Sequence, residues 1–306
     1  MRISSRTFLE APVVDMTTLQ ANVDRTQREV ATGIRADATE PGNALRLDAL
    51  DAANSRLARY ATNAAGVRDR LNGCESIATD AGDIFQRARE LALQASNGSL
   101  DGAARTNIAI EIRGLREQLV GVGNRTDSRG EYLLAGTRSS APPFVERAGT
   151  VQYDGDTALR TIDVLPGRGV VDSLHGTQWA SIVTASASVD AFAMLDGLAT
   201  ALESVATGTS TEHDFQQSIA SSIDSLSAGV DHFVTLRATI GSRLAILDAC
   251  DATREDLKLA LSRQTSALRD VDLADAISRL QGQLAGLQAA RQSYAQLSKL
   301  GLFEYL

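Results

Sequence analysis

One apolar seam runs without interruption through residues 50–92, LDAANSRLARYATNAAGVRDRLNGCESIATDAGDIFQRARELA. Its apolar positions begin at Leu50, end at Ala92 and alternate spacings of three and four residues. This period is that of an α-helix that presents one face to a neighbouring helix. A helix over residues 43–96 would be about 80 Å long, far beyond the usual globular helix. The seam therefore predicts one long helix of a bundle or coiled coil.

A second helix should follow the first and pack against it. The stretch Asn97-Gly98-Ser99-Leu100-Asp101 supplies a glycine stop and a new N-cap. Beyond it, apolar residues again recur at spacings of four and three as far as Val122, and Gly123-Asn124 ends the pattern. These two segments predict an antiparallel helical hairpin.

The middle of the chain has a different period. Residues 150–164, TVQYDGDTALRTIDV, place Asp154-Gly155 between two short runs rich in β-branched and aromatic residues, which predicts a β-hairpin with its turn at that dipeptide. Prolines and glycines punctuate the surrounding region, so helix is not expected there. Tyr153 and Trp179 are expected to form the small core of this insertion, with a partner surface as the alternative.

Helical patterning resumes from about Glu212 to Leu300 without a proline. The heptad phase of its apolar residues changes at 270–272, which predicts a change of packing partner within one continuous helix. The first thirty residues carry an apolar seam of their own. Each terminal seam has no third element nearby to complete a core, and a two-helix pair buries little surface. The two ends should therefore meet, and their apolar residues are the predicted assembly interface: Leu9, Met16, Leu19, Val23, Val30, Leu273, Ile277, Leu280, Leu284, Leu287, Tyr294, Leu302, Phe303, Tyr305 and Leu306.

The predicted fold class is mainly α with a small β-rich insertion, as a long antiparallel helical bundle formed by the N- and C-terminal halves. Three nested domains follow from the pattern. Residues 1–42 with 270–306 form terminal coiled-coil segments, residues 43–138 with 190–269 form the long helical bundle, and residues 139–189 form a β-rich outer domain.

Composition narrows the function classes. The net charge of −8 argues against a protein that binds a nucleic-acid backbone, which needs a clustered basic surface. No window approaches the run of about 18 apolar residues that a membrane span requires. The opening MRISSRTFLEAPVVD has neither the apolar core nor the cleavage site of a secretory signal. Taken alone, these features would place the protein in the cytoplasm.

No grouping of residues indicates catalysis, a cofactor or a metal. The two cysteines, Cys74 and Cys250, lack CxxC spacing and are expected to be buried free thiols, although their pairing stays open. The three histidines have no metal-ligand spacing, and surface or cap roles are expected for them. The acids of DVDLAD at 270–275 lack the glycine and glutamate of a calcium loop, so a solvated helix face is expected. The chain is therefore predicted not to be an enzyme.

Several motifs together resemble the flagellin family of bacterial filament proteins: MRIS at the start, ATG at 31–33, RELALQASNGSL at 89–100, NRTDSRGEYLLAGT at 124–137, RATIGSRL at 237–244 and DVDLADAISRL at 270–280. The closing LFEYL and the modest length most resemble the family's subunits at the hook-filament junction. Two departures, ATEPGNAL and YLLAG where YLFAG is usual, keep the polarity of the family pattern.

This resemblance implies a structural role in the extracellular bacterial flagellum. It implies secretion through the flagellar type III apparatus, and terminal segments that are unfolded in the monomer and helical after assembly. The implied partners are a ring of copies of the chain itself, the hook-side junction protein, flagellin and a flagellar export chaperone. Two alternatives stay open: a flagellin-type filament subunit, and a self-contained cytoplasmic coiled-coil binding protein.

Overall fold

The fold is mainly helical, as the sequence predicted. A computed structural model describes residues 2–98, 100–185, 187–209 and 211–303. The helices are α1 (Arg2–Thr32), α2 (Pro41–Ala95), α3 (Gly102–Gly123), α4 (Gly176–Ala180), α5 (Ala191–Ala206), α6 (Glu212–Arg269) and α7 (Leu273–Phe303), with a 3-10 turn at Ala36–Thr39. The strands are β1 (Phe144–Arg147), β2 (Thr150–Tyr153), β3 (Thr161–Leu165), β4 (Arg168–Val171), β5 (Ser181–Val183) and β6 (Ser188–Asp190).

The chain forms two compact units. The terminal unit contains Met1–Leu57 and Glu255–Leu306, and the central unit contains Ala58–Arg254. These limits lie inside α2 and α6, and both are closer to the middle of the chain than the predicted boundaries at 42/43 and 269/270. The central unit also holds the β strands together with the bundle helices. Order or disorder of the terminal segments in the free monomer stays a prediction.

Antiparallel helices form the frame of the central unit. Arg87 of α2 pairs with Glu111 of α3 at 2.7 Å, and Asp80 of α2 pairs with Arg125, just beyond the end of α3, at 2.7 Å. Rising numbers on one helix meet falling numbers on the other, so the predicted helical hairpin is present. The Phe85 ring of α2 packs edge-on against a phenylalanine of α6, with centroids 5.2 Å apart.

One glycine permits this close packing of α2 against α6. A Cβ on Gly229 would lie 2.3 Å from Cδ1 of Phe85, closer than carbon atoms can approach. The hydrogen atom of glycine therefore lets the Phe85 ring lie directly on the backbone of α6. A Cβ added to Gly241, further along α6, would have no atom of another part of the chain within 4 Å, so glycine is not required there.

The predicted hairpin across Asp154-Gly155 is wrong. The strands form three separate antiparallel pairs, β1 with β2, β3 with β4 and β5 with β6. The first turn lies at Ala148 and Gly149, whose φ angles of 52° and 80° match a tight hairpin turn. Asp154-Gly155 instead lies in the connection from β2 to β3. Asp156 fixes this connection by accepting hydrogen bonds from the N–H and hydroxyl of Thr137.

Trp179 belongs to the core of the whole central unit rather than to a separate core of the β insertion. It is 1% exposed. Its ring lies 5.4 Å from Phe144 of β1, 6.1 Å from Phe192 of α5 and 5.7 Å from Phe233 of α6. The expectation of an independent small core is therefore wrong, because three short strand pairs cannot enclose an indole and the helices supply its remaining contacts.

Candidate assembly interface

Helices α1 and α7 of the terminal unit pack against each other in antiparallel orientation. Arg279 of α7 pairs with Glu29 of α1 at 3.2 Å, and Arg291 Nη2 donates to Gln20 Oε1 at 2.9 Å. The predicted meeting of the two ends is therefore present within one chain. The two contacts fix the register of the antiparallel pair.

The phase slip at 270–272 is a break between two helices, so the predicted continuous helix is wrong. Asp272 caps the new helix by accepting from the N–H groups of Ala274 and Asp275 at 2.9 and 3.2 Å. The segment between α6 and α7 also pairs with the loop after α1: Val271 N–H donates to the Gly33 carbonyl at 3.0 Å, and Asp270 forms an antiparallel bridge with Ile34. The cap and the backbone pairing together end α6 at Arg269 and start a separate helix at Leu273.

Glu29 ties this loop to both terminal helices, and sequence reasoning did not identify it. Its side chain is largely buried. Oε1 accepts from the Ala36 N–H at 3.0 Å, while Oε2 accepts from Arg279 at 3.2 Å. The neighbouring Gly33 has a φ of 69°, a left-handed conformation that glycine adopts without strain. The ATG motif therefore ends α1 in a fixed turn, and an acid beside it is the only sequence signal for Glu29.

The predicted interface residues fall into groups of different exposure. The buried ones are Val23 and Leu287, and the half-buried ones are Met16, Leu19, Val30, Leu280 and Tyr294. The exposed ones are Leu273, Ile277 and Leu284. The side chains of Leu9, Leu302 and Phe303, and the residues Tyr305 and Leu306, lie outside the described part of the chain. The single apolar stripe predicted from the spacing therefore has a covered side and an exposed side along the helix.

The division follows from helix geometry. Successive residues are rotated by about 100° around a helix axis. Ile277 and Leu284 therefore lie to one side of Leu273, and Leu280 and Leu287 lie to the other. Leu287 is 5% exposed because α1 covers its side of the stripe, whereas Leu284, one turn earlier, is 42% exposed. We call the uncovered side, formed by Leu273, Ile277 and Leu284, the open edge of α7.

Exposed large hydrophobic residues concentrate in the terminal unit. Nine of the fourteen such residues found among those with described burial lie there: Val13, Val14, Ile34, Leu45, Leu257, Leu259, Leu273, Ile277 and Leu284. The terminal unit has 109 of the 306 residues, so the density of exposed apolar side chains is several times that of the central unit. Such concentration is typical of an interaction surface.

The terminal unit also carries less net charge than the central unit. The terminal unit has 13 basic and 14 acidic residues, whereas the central unit has 17 basic and 24 acidic residues. Their formal net charges are therefore −1 and −7. A surface that is close to neutral associates with copies of itself more readily than an acidic one, because like charges repel. The terminal unit is thus the part of the chain better suited to close packing between copies.

The remaining candidate side chains have structural roles. His175 caps α4 by accepting from the Gln178 N–H at 3.1 Å, and burial lowers the pKa of its imidazole. Cys74 and Cys250 are buried free thiols, as predicted, and burial raises the pKa of Cys74 to about 11. Within the described residues no cluster of three metal-ligating side chains occurs, and none of the described helices combines the length and apolarity needed to span a bilayer.

The motif at 124–137 that resembles the flagellin family has a structural explanation. In the segment 124–137, the carboxylates of Asp127 and Glu131 lie 3.2 and 3.3 Å from Arg70 of α2, and the Tyr132 carbonyl accepts from the same guanidinium at 3.1 Å. Arg70 is 2% exposed. The motif therefore fastens the loop after α3 onto α2 in the central unit, and it has no direct part in the open edge.

The fold is flagellin-like, and the sequence comparison agrees. Residues 13–139 match the family described as the bacterial flagellin N-terminal helical region. This stretch covers most of α1, all of α2 and α3, and the loop that Arg70 holds on α2. The resemblance predicted from the quoted motifs is thereby confirmed.

The relatives are flagellar proteins. The chain is 28% identical to flagellar hook-associated protein 3 of Salmonella typhimurium over 319 residues, which cover 99% of each chain. Its fold resembles the crystal structure of FlgL from Xanthomonas campestris, with a TM-score of 0.64, 22% identity and coverage of 71% of this chain and 99% of that one. It also resembles the flagellar junction protein FlgL from Legionella pneumophila, with a TM-score of 0.58, 13% identity and coverage of 67% and 99%.

Proposed function

We propose that this chain is a structural subunit of the bacterial flagellum that joins the hook-side junction protein to flagellin at the hook-filament junction. The open edge of α7 carries this proposal. Three large aliphatic side chains, Leu273, Ile277 and Leu284, remain between 42% and 49% exposed although the neighbouring helix α1 is already in place. Further copies of the terminal unit would bury them, and assembly thus completes a core that one chain leaves open.

The full-length similarity to hook-associated protein 3 supports the position of this subunit in the flagellum. The two chains have nearly the same extent, so both terminal helices and the central unit have counterparts in the relative. A subunit at a junction has to contact different proteins at its two ends. We therefore expect copies of this chain to form a ring that contacts the hook-side junction protein on one side and flagellin on the other.

Export and folding follow from the same proposal. The chain reaches the extracellular flagellum through the type III apparatus, accompanied by a flagellar export chaperone. The terminal segments are largely unfolded in the free monomer and become helical as copies assemble. Few of the residues of α1 and α7 whose burial is described are buried, which supports this order of events, because a helix pair with few buried contacts is only marginally stable.

The proposed role is mechanical and requires no catalysis. Buried polar side chains that could attract attention, such as Arg70 and Arg105, have carboxylate partners in the central unit. The pair of Arg105 with Glu212 joins α3 to the start of α6 at 2.7 Å. Arg70 fixes the loop after α3 on α2 and Arg105 fixes α3 against α6, and a load-transmitting subunit needs its parts held in fixed positions.

A deletion strain tests the proposal. Loss of the gene should leave cells with hooks but without attached filaments, and flagellin should accumulate in the medium. The full-length chain should restore filaments, and mass spectrometry of sheared flagella should detect it. Normal filaments in the deletion strain, or absence of the chain from purified flagella, would refute the role.

A flagellin-type filament subunit is the second candidate, because the matched family region is named for flagellin. Copy number separates the two roles. A junction subunit should be present in a small fixed number for each flagellum, whereas a filament subunit should be present in thousands. Quantitative mass spectrometry against flagellin measures this ratio directly. Recovery of the chain only from the cytoplasm would favour the coiled-coil binding protein instead.

A further inference from the structure

A second apolar surface of the terminal unit lies between the start of α2 and the end of α6. It is a groove of about 470 Å³ lined by Arg46, Ala49, Leu50, Gln264, Ala267 and Leu268. Ala49 and Ala267 are exposed, whereas Leu50 and Leu268 are half-buried. The small alanine side chains leave the groove open at the surface, and the two leucines give it an apolar base.

Leu45 extends this groove along α2. It lies one helical turn before Ala49, on the same face of the helix, and it is 73% exposed. This is the largest exposed fraction of any large aliphatic side chain with described burial in the terminal unit. The groove and Leu45 together present about two helical turns of apolar surface.

The open edge of α7 has the complementary shape. Its three branched side chains project from the helix at spacings of four and seven residues. Large side chains pack into spaces left by small ones. Packing of two open edges against each other would instead bring large side chains against large ones. Within one molecule both the groove and the open edge remain exposed, so the described residues of the chain cover neither surface.

We propose that the groove between α2 and α6 receives the open edge of α7 from a neighbouring copy of this chain. This inference rests on the proposed self-assembly and specifies its geometry. The contact is heterologous, since it joins two different surfaces, and a heterologous contact repeats from copy to copy to form a ring or a helix. The near-neutral charge of the terminal unit favours a second copy as the occupant.

Cross-linking between two variants, each with one added cysteine, tests this pairing in the full chain. A49C places a thiol in the groove and L284C places one on the open edge. The two variants are mixed under assembling conditions and oxidised, with the buried native thiols of wild-type chain as background. V234C, at a 56% exposed position of the central unit, replaces L284C in the matched control.

The mixture of A49C and L284C should give at least tenfold more covalent dimer than either variant alone. It should exceed the control mixture of A49C and V234C by the same factor. Faster dimer formation by L284C alone would show that open edges pair with each other, and it would overturn the proposal. Absence of the mixed dimer would overturn it as well, whether or not the chain sediments as an oligomer. Either failure is independent of the deletion test, which can still place the chain at the junction.

Discussion

Replacing Leu273, Ile277 and Leu284 by alanine should weaken self-association without unfolding the chain. The three residues are 49%, 44% and 42% exposed. Full burial of such a side chain is worth about 1.5–3 kcal/mol, so covering the remaining surface of all three contributes about 2–4 kcal/mol to assembly. The association constant should therefore fall roughly 30- to 700-fold. Alanine favours helix at least as well as leucine or isoleucine, so α7 itself is not weakened.

Sedimentation velocity over a concentration series measures the association constant of this triple variant. Thermal unfolding followed by circular dichroism should show an unchanged midpoint, because the central unit is untouched. The matched control carries alanine at Ile110 and Val234, which lie on the central unit and are 63% and 56% exposed. This control variant should change the association constant by less than about twofold. A triple variant that associates within threefold of the wild type would refute the role of the open edge.

Two further predictions concern the central unit. G229A should lower the free energy of unfolding by about 1–3 kcal/mol and with it the unfolding temperature, because its new methyl group meets Phe85. G241A on the same helix should leave the unfolding temperature unchanged or raise it. Equal stability of the two variants would be evidence against the close packing. The hydroxyl and N–H of Thr137 hold the pKa of Asp156 below its usual value, so this carboxylate stabilises the fold above about pH 4 and the contribution disappears as pH falls through the folded-state pKa. D156N should therefore lower the unfolding temperature at pH 7 and flatten its decline in acid, and parallel pH curves for variant and wild type would contradict this assignment.

The long helices could be predicted because their signal is repeated many times. Spacings of three and four over residues 50–92 leave little ambiguity, and α2 indeed runs from Pro41 to Ala95. The end of α3 was also predictable, since Gly123-Asn124 stops the pattern and the helix ends at Gly123. Periodicity of this kind reports only local helix formation and the existence of an apolar face.

The β region was less predictable because its turns depend on contacts distant in sequence. Asp154-Gly155 has the composition of a hairpin turn, yet Asp156 binds Thr137 and holds that segment in an extended connection. Ala148 lies in the first turn although alanine is uncommon at positive φ. Trp179 likewise reveals its role only when α5 and α6 are in place.

The candidate interface was predictable as a stripe but not as two sides of a stripe. Spacing placed Leu284 and Leu287 in the same apolar set, whereas only their positions against α1 distinguish the exposed residue from the buried one. The contribution of Leu45 was missed for a similar reason. A single leucine near the start of a long helix has no distinctive pattern, and its 73% exposure depends on which face of α2 the neighbouring helix covers.

Amide hydrogen exchange on the full chain tests most directly whether the terminal helices depend on other copies for their stability. In dilute monomer, we predict rapid exchange over residues 1–35 and 273–306 and strong protection over the bundle helices of the central unit. In assembled protein the same terminal residues should become protected. Strong protection of both terminal segments in a monomer that sediments as a single chain would contradict the proposal that copies of this chain complete each other's cores.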